Sequence, residues 1–314
     1  MRVRPAAVAG RFYPAEPGAL AALVDGLLAG AHPARPDARP VALVAPHAGF
    51  RYSGAVAATA YASVTPWGGE VSGVVILGPA HFVPLRGMAV PGVDAFATPL
   101  GLVAVDDEAR SVARALPAVA VDDGPHVHEH SLETQLPFLL RCFAPGIRVL
   151  PVLVGATPPT EVATLLSAVA GGPGVLTVVS TDLSHYLSHA QARERDARTA
   201  ARVLRKDGDA LQPTDACGYH PLRGLLRFGA ERDLTVELLQ LATSADAGAH
   251  PNRVVGYGAF LLRDRSVNHA SEQSGGGGIT ATRGRSARCA DELPVDRAGA
   301  ARDVAEMSEE VYGQ

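Results

Sequence analysis

The sequence predicts an α/β fold, a single domain with a mostly parallel central sheet flanked by helices. Apolar runs of strand length recur along the chain and are continuous rather than alternating, which is typical of strands covered on both faces. Segments of helical periodicity separate them, and this alternation favours a parallel sheet with helices on both sides. Hydrophobic residues are 47% of the 314 residues but aromatic residues only 5%, so we expect a core of Ala, Val and Leu.

The predicted elements follow in chain order. Six apolar runs are predicted as strands, at residues 41–45, 73–78, 87–93, 149–155, 175–180 and 254–262. Seven segments have helical periodicity, at residues 19–29, 54–64, 106–116, 131–143, 159–170, 189–205 and 234–243. Pro137 lies inside the fourth of these helices and is expected to kink or shorten it, because proline has no N–H to donate and its ring crowds the preceding turn.

The character of the chain changes after residue 265. Residues 1–265 are predicted to form the folded domain. The following segment includes the stretch SEQSGGGG and has no apolar periodicity, so it cannot bury enough surface to offset the entropy of ordering it. Residues 266–314 are therefore predicted to be a disordered low-complexity tail.

Composition argues against several classes of function. The net charge is −4, with acids and bases mixed along the chain, and nucleic-acid binding needs a basic face. No apolar run approaches the roughly 18–20 residues of a membrane helix, and the N-terminus lacks a secretory signal. The three cysteines, Cys142, Cys217 and Cys289, are odd in number and widely spaced, which favours a reducing, cytoplasmic setting.

Two predicted strands each deliver a histidine just after their ends. The run at 41–45 leads to His47 and the run at 73–78 leads to His81, in each case one or two residues after a proline. In open α/β sheets, ligands bind outside the carboxyl ends of the strands. A single buried histidine is usually a structural group, but two at equivalent strand ends favour a functional site.

Two further pairs of residues that can act in catalysis lie three positions apart in the sequence. Asp182 and His185 follow the predicted strand at 175–180, and they would share a face if a helical turn begins there. His130 and Glu133 have the same spacing at the start of the fourth predicted helix, where capping geometry places both on one side. Asp182 is suited to orienting a histidine or holding a proton.

Cys217 lies in a loop with Gly218, directly before a helical pattern. A thiol near a helix N-terminus has a lowered pKa and is more often a thiolate, which is also the form that binds metals. Cys142 lies in an apolar helical stretch and is predicted to be core. His126 and His128 lie in a polar loop and are predicted to be solvated.

The residues alone leave more than one chemistry open. Nucleotide binding is not predicted, because no GxGxxG motif follows a strand and there is no P-loop. Asp182, Ser184 and His185 are the residue types of a hydrolase triad, but they lie very close in sequence and no GxSxG elbow accompanies them. The spacing between the candidate metal ligands is long, so the pattern is only suggestive of a metal site.

The chain resembles the Memo family, known in bacteria and archaea as component B of the AmmeMemoRadiSam system. Order and spacing of the motifs agree over about residues 3–263. The matching segments are RPAAVAGRFYP (4–14), APHAGFRYSG (45–54), ILGPAH (76–81), HSLETQLPFL (130–139), STDLSHY (180–186) and ACGYHP (216–221). The resemblance implies a single domain related to the class III extradiol ring-cleaving dioxygenases.

The resemblance also implies a metal site of two histidines and one cysteine. By motif these ligands are His47, His81 and Cys217. Phe82 is a local departure, since other members often carry a second histidine there, but the ligand position beside it is unaffected.

Four more residues of this chain match two other motifs of the family. Asp182 and His185 match the pocket motif STDxSHY, and His130 and Glu133 match the motif HSxE. We treat these four as candidate catalytic residues. In the main hypothesis His185 or His130 acts as acid or base, and Asp182 orients it.

The main functional hypothesis is a metal-dependent redox protein. Two neutral imidazoles and a thiolate favour iron or copper over magnesium or calcium, and we expect iron or copper in preference to zinc. The resemblance further suggests a radical-SAM protein and an AMMECR1-like protein as partners, with a small-molecule or peptide ligand that the residues do not identify.

Two other functions stay open. One is a non-catalytic module that binds a metal or a peptide, since animal members of the family are discussed as signalling adaptors. The other is a zinc-dependent hydrolase with metal-bound water as the nucleophile. Metal identity and dependence on O₂ would separate the hydrolase from the redox protein.

Overall fold

The structure, a computed structural model of the chain, describes residues 1–36 and 39–264. Within these residues twelve strands form one mixed sheet, and helices pack on both of its faces. The predicted α/β class with a mostly parallel centre is confirmed. The predicted tail, residues 266–314, lies outside the described residues.

The strands are short at the edges of the sheet and longer at its centre. In chain order they are β1 (Val3–Arg4), β2 (Ala42–Ala45), β3 (Gly73–Pro79), β4 (Met88–Val90), β5 (Ala95–Thr98), β6 (Gly101–Val105), β7 (Val119–Val121), β8 (Arg148–Val154), β9 (Val175–Ser180), β10 (His185–Leu187), β11 (Thr235–Thr243) and β12 (Val254–Arg263).

The order of the strands brings three of them side by side at the centre. Along the sheet the order is β1-β5-β6-β8-β3-β9-β2-β12-β10, with β11 also paired to β12 and β4 linking β7 to β8. Strands β8, β3, β9 and β2 are parallel neighbours, whereas β12 runs antiparallel to β2. The carboxyl ends of β2, β3 and β9 therefore meet at one edge of the sheet, as the histidine-bearing strands predict.

Two layers of helices cover the sheet. They are α1 (Pro17–Ala29), α2 (Phe50–Ala62), α3 (Asp107–Ala113), α4 (Leu136–Cys142), α5 (Pro159–Val169), α6 (His189–Leu204) and α7 (Tyr219–Glu231). Helices α1, α2 and α4 pack together, as do α3, α5 and α7. Helix α6 joins the second layer, because its buried face belongs to the same apolar cluster as α5 and α7. No helix among the described residues is long and apolar enough to cross a membrane.

The predicted helix at 234–243 is wrong, because this segment is strand β11. It pairs antiparallel with β12 along nearly its whole length, and the register shifts between Leu238 and Gln240. The extra residue, Leu239, follows Leu238 directly and interrupts the alternation of apolar and polar residues that is typical of a strand. The resulting spacing of apolar residues resembles that of a helix. The fourth predicted helix is confirmed in a shortened form: α4 begins at Leu136, with Pro137 in its first turn.

No helical turn begins after residue 180, so the condition under which Asp182 and His185 would share a face is not met. Residues 181–184 are irregular and lead directly into β10, which pairs with β12. Asp182 and His185 therefore do not share a helical face. Burial raises the pKa of Asp182 and the nearby charge of His185 opposes that rise, so the two groups interact through the fold of the loop instead.

Candidate metal centre

His47, His81 and Cys217 converge at the carboxyl edge of the sheet. One ligand atom from each lies within 4.8 Å of the other two, and the Cys217 Sγ is 3.2 Å from the His47 Nε2. Two atoms bound to one ion at ~2.0–2.3 Å lie roughly 3–4 Å apart. The three side chains thus form a group that could hold a metal ion after only a small adjustment.

Hydrogen bonding fixes the ring of His47. Its Nδ1 lies 2.9 Å from the Ser180 Oγ. The single hydroxyl proton of Ser180 is donated to the Ser131 carbonyl at 2.6 Å, and Ser180 also accepts from the Gln135 amide. Ser180 must therefore accept from His47, which places the ring proton on Nδ1 and leaves the lone pair of Nε2 directed at Cys217.

Glu129 fixes the ring of His81 in the same way. The Glu129 Oε1 accepts from the His81 Nδ1 at 2.9 Å, and Oε2 accepts from the His81 backbone N–H at 2.6 Å. Oε1 also accepts from the backbone N–H groups of His130 and Ser131. A carboxylate that holds the far nitrogen of a histidine is the usual support of a metal-bound imidazole, and it leaves Nε2 for the metal or for Cys217.

The Cys217 loop is attached to the end of β9. The Cys217 N–H donates to the Asp182 carbonyl at 3.3 Å, and the Asp182 N–H approaches Sγ at 3.3 Å. The next residue, Gly218, donates to the Thr181 hydroxyl at 2.8 Å. A Cβ on Gly218 would lie 2.5 Å from the Thr181 Cβ, so only glycine allows the loop to approach this closely.

The pKa values of Cys217 and His81 both depart from their ordinary values. Burial alone would raise the pKa of Cys217, but the charges and hydrogen bonds of His47 and His81 lower it to about 6. Burial would lower the pKa of His81, but hydrogen bonds to Cys217 and Glu129 raise it to about 10. The expected lowering for Cys217 is thus present, and it comes from the histidines across the site rather than from the helix that follows.

A second group of potential ligands overlaps the first. His81, Glu129 and His130 also place ligand atoms within 4.8 Å of one another. The four N–H donors described above already occupy the Glu129 carboxylate, and one of them is the ring N–H of His81. A metal bound here would have to displace those bonds, whereas in the first group the metal would replace only the proton that His81 shares with the Cys217 sulfur.

His130, Asp182 and His185 surround this centre. The His130 ring stacks on His81 with centroids 4.7 Å apart and lies edge-on to His47 at 5.4 Å; burial and the positive charge of His81 lower its pKa. Asp182 is fully buried and accepts from the His47 N–H at 2.8 Å. His185 donates from Nδ1 to the Leu183 carbonyl at 2.8 Å, and burial lowers its pKa, so its Nε2 is a neutral acceptor.

A family model described as Memo-like protein matches residues 4–261, which is most of the chain. The chain belongs to the Memo family. A MEMO1 family protein of Aquifex aeolicus is 38% identical over 272 residues, covering 82% of this chain and 98% of the relative. MEMO1 family proteins of Ignicoccus hospitalis and Methanopyrus kandleri are 34% and 35% identical over 285 residues, covering 82% and 83% of this chain and 98% and 99% of the relatives.

Glu133 lies apart from the metal centre of this Memo-family chain. Its carboxylate forms a fully buried salt bridge with Arg4. It also accepts from the Tyr13 hydroxyl at 2.5 Å and from the backbone N–H groups of Ala7 and Val8 at 2.7 and 3.0 Å. Arg4 in turn donates to the Glu129 carbonyl. Glu133 therefore ties the N-terminal segment to the loop that carries Glu129, which is a supporting position.

Sequence reasoning missed two supporting residues and misplaced one histidine. Glu129 and Ser180 hold the two imidazoles, and the only sequence signal for Glu129 was its position between two histidines in the run HEH. His126 was predicted to be solvated, but it is buried and donates from Nε2 to the Ala89 carbonyl. His128 is exposed and Cys142 is core, as predicted.

The metal-free Memo-family protein should be alkylated at Cys217 in near-neutral buffer. The thiolate is the nucleophile, and a lowered pKa extends its range toward acid. The rate should therefore rise through about pH 6 and level off above it, instead of rising near the ordinary thiol value of 9. Iodoacetamide labelling followed by peptide mass spectrometry measures the profile at Cys217 alone. A midpoint above pH 8 would contradict the described charge interactions.

The buried thiol of Cys142 is the matched control. Burial raises its pKa to about 11. It should stay unlabelled in the folded protein across the same pH range and become labelled in urea.

Proposed function

We propose that this Memo-family protein is a metal-dependent redox protein, with His47, His81 and Cys217 as ligands of one transition-metal ion. The observation that carries the proposal is the orientation of the two imidazoles. Ser180 and Glu129 each bind an Nδ1–H, which turns both Nε2 atoms toward a sulfur that favours its thiolate form. In the metal-free protein a hydrogen bond between His81 and that sulfur helps to keep the pKa of His81 high, and a bound metal ion would take the place of the shared proton.

The donor set supports iron or copper in preference to hard cations. Two neutral imidazoles and one thiolate carry a single negative charge, and soft sulfur selects against magnesium and calcium. Three protein ligands leave coordination positions for a substrate or O₂. When bound, iron or copper would supply one-electron chemistry at these open positions, and the thiolate donation would tune its potential.

The surrounding residues are suited to handling protons. His185 holds its own ring proton against the Leu183 carbonyl, so Nε2 is free to accept a proton from a substrate. Asp182 accepts from the His47 N–H, and burial raises the pKa of its carboxyl, which suits it to holding a proton at the same edge of the site. His130 stacks on His81, and we assign it as an alternative base. Glu133 acts through the N-terminal segment and not on the substrate.

Anaerobic purification followed by metal titration tests the proposal. The metal-free protein should bind one equivalent of Fe(II) or copper, and the loaded protein should show a reversible one-electron couple. His128→Ala is a matched control, because His128 is an exposed histidine outside the group; it should bind the metal normally. Binding of zinc alone, with hydrolytic activity and no redox couple, would overturn the proposal in favour of the hydrolase.

The proposed biological setting rests on the family resemblance. We propose that the protein works in the cytoplasm with a radical-SAM protein and an AMMECR1-like protein in a shared modification pathway. Affinity purification of the tagged protein from its own cells, with and without added iron, checks this: both partners should be enriched.

A further inference from the structure

Tyr186 has an unusual backbone conformation beside the metal centre. Its φ of +61° is in the left-handed region, which residues with a Cβ rarely adopt. It also lies at an irregularity of the sheet, since the register between β10 and β12 shifts between His185 and Leu187. Bulges near functional sites often redirect a side chain, and a strained residue that the fold maintains is a reason to look for a function.

The side chain of Tyr186 lies between the site and a cation. Its ring is edge-on to the candidate base His185, with centroids 5.6 Å apart. The Arg253 guanidinium stacks over the same ring, 4.6 Å from its centroid. Tyr186 keeps 37% of its surface exposed, so it is accessible to a ligand that enters from solvent.

The charges of the metal centre affect the pKa of the Tyr186 phenol. Burial raises the pKa of Tyr186, the Arg253 cation opposes the rise, and the charges of Asp182 and Cys217 add to it. The hydroxyl therefore keeps its proton at neutral pH and is a hydrogen-bond donor. The Arg253 guanidinium over the ring places a positive charge beside the hydroxyl, which favours a ligand with negative charge there.

We propose that Tyr186 is a ligand-contacting residue of this site, and that its phenol O–H, backed by the Arg253 guanidinium, binds a carboxylate of the small molecule that the protein acts on. The proposal deepens the proposed function by naming a substrate class, small carboxylates. It rests on that function only in taking the metal centre as the place where the ligand reacts. Neither residue is a metal ligand.

Alkylation of Cys217 in the metal-free protein provides the test. Iodoacetate and iodoacetamide form the same Sγ–C bond and release the same iodide, but only iodoacetate carries a carboxylate to the site. Because hydrogen bonds to charged groups are worth more than those to neutral ones, Tyr186→Phe should lower the iodoacetate-to-iodoacetamide rate ratio roughly 10-fold. Arg253→Met should lower the ratio as well. All proteins carry Cys289→Ser, and the rates are measured on the Cys217 peptide by mass spectrometry.

Tyr219→Phe is the matched control. Tyr219 is also stacked by an arginine, Arg223, at 5.1 Å, but it packs against the apolar core; its variant should keep the wild-type ratio. An unchanged ratio in Tyr186→Phe would overturn the proposal. Equal slowing of both reagents would also overturn it, because that result would mean a general change of the loop.

Two more measurements test the proposal for Tyr186 independently of the proposed metal-dependent function. Tyr186→Phe should bind the metal with wild-type affinity, whereas failure of the proposed function would appear as absent metal binding in every protein tested. Tyr186→Gly should unfold at higher urea than Tyr186→Ala, since glycine adopts a φ of +61° without strain. Equal stability of these two variants would contradict the strained conformation that supports the proposal.

Discussion

Replacing Cys217 by serine is expected to abolish stoichiometric metal binding. The hydroxyl stays protonated where the thiol ionises with a pKa of about 6, so the site loses both its softest donor and its negative charge. Loss of an outer partner of a metal ligand typically costs about 10–100-fold in affinity, and loss of the thiolate itself should exceed that. Metal content after anaerobic titration and desalting measures the effect, and His47→Ala should give the same result.

Cys142→Ala is the control for the loss of a thiol. Cys142 is buried in α4 and takes no part in the site, so its variant should keep the full metal content. If the Cys217 and His47 variants keep wild-type metal content, the ligand assignment is wrong.

Replacing Glu133 by alanine is expected to destabilise the protein by about 3–5 kcal/mol, because it leaves the Arg4 cation buried without its partner. Both side chains of this salt bridge are almost fully buried, and Tyr13 loses its acceptor at the same time. Urea unfolding measures the change in the free energy of unfolding. Arg4→Ala should be similarly destabilising, and the double variant should cost less than the sum of the two.

The exposed pair of Arg198 and Glu194 on α6 is the comparison for this prediction. Its side chains are largely solvated, and such pairs contribute about 0–1 kcal/mol, so Glu194→Ala should be nearly neutral. If Glu133→Ala is as stable as Glu194→Ala while metal-dependent activity is lost, Glu133 is catalytic and its supporting role is refuted.

The sequence predicted the centre of the fold well, because continuous apolar runs identify buried strands. Strands β2, β3 and β9 lie where their runs of Val, Leu and Ile predict, and their shared direction places His47 and His81 at one edge. Strand β11 was misinterpreted because a bulge at Leu239 imitates helical spacing. The short edge strand β10 gave no sequence signal, since its three residues have no apolar pattern.

In the site, too, the sequence motifs predicted the ligand residues but not the residues that contact them. Motifs alone selected His47, His81 and Cys217, and these residues do come together. The tautomer of each imidazole depends on Ser180 and Glu129, which are distant in sequence from the rings they hold. The place of Glu133 depends on Arg4, 129 residues earlier. Such pairings arise from three-dimensional packing, and no local pattern encodes them.

The position of the bound ion tests the central claim most directly. Crystals of the anaerobically loaded protein, measured at the absorption edge of the metal, locate the ion by anomalous scattering. We predict one ion about 2.0–2.3 Å from the Nε2 atoms of His47 and His81 and from the Cys217 Sγ. An ion bound instead by Glu129 and His130, with the Cys217 sulfur outside bonding distance, would contradict it.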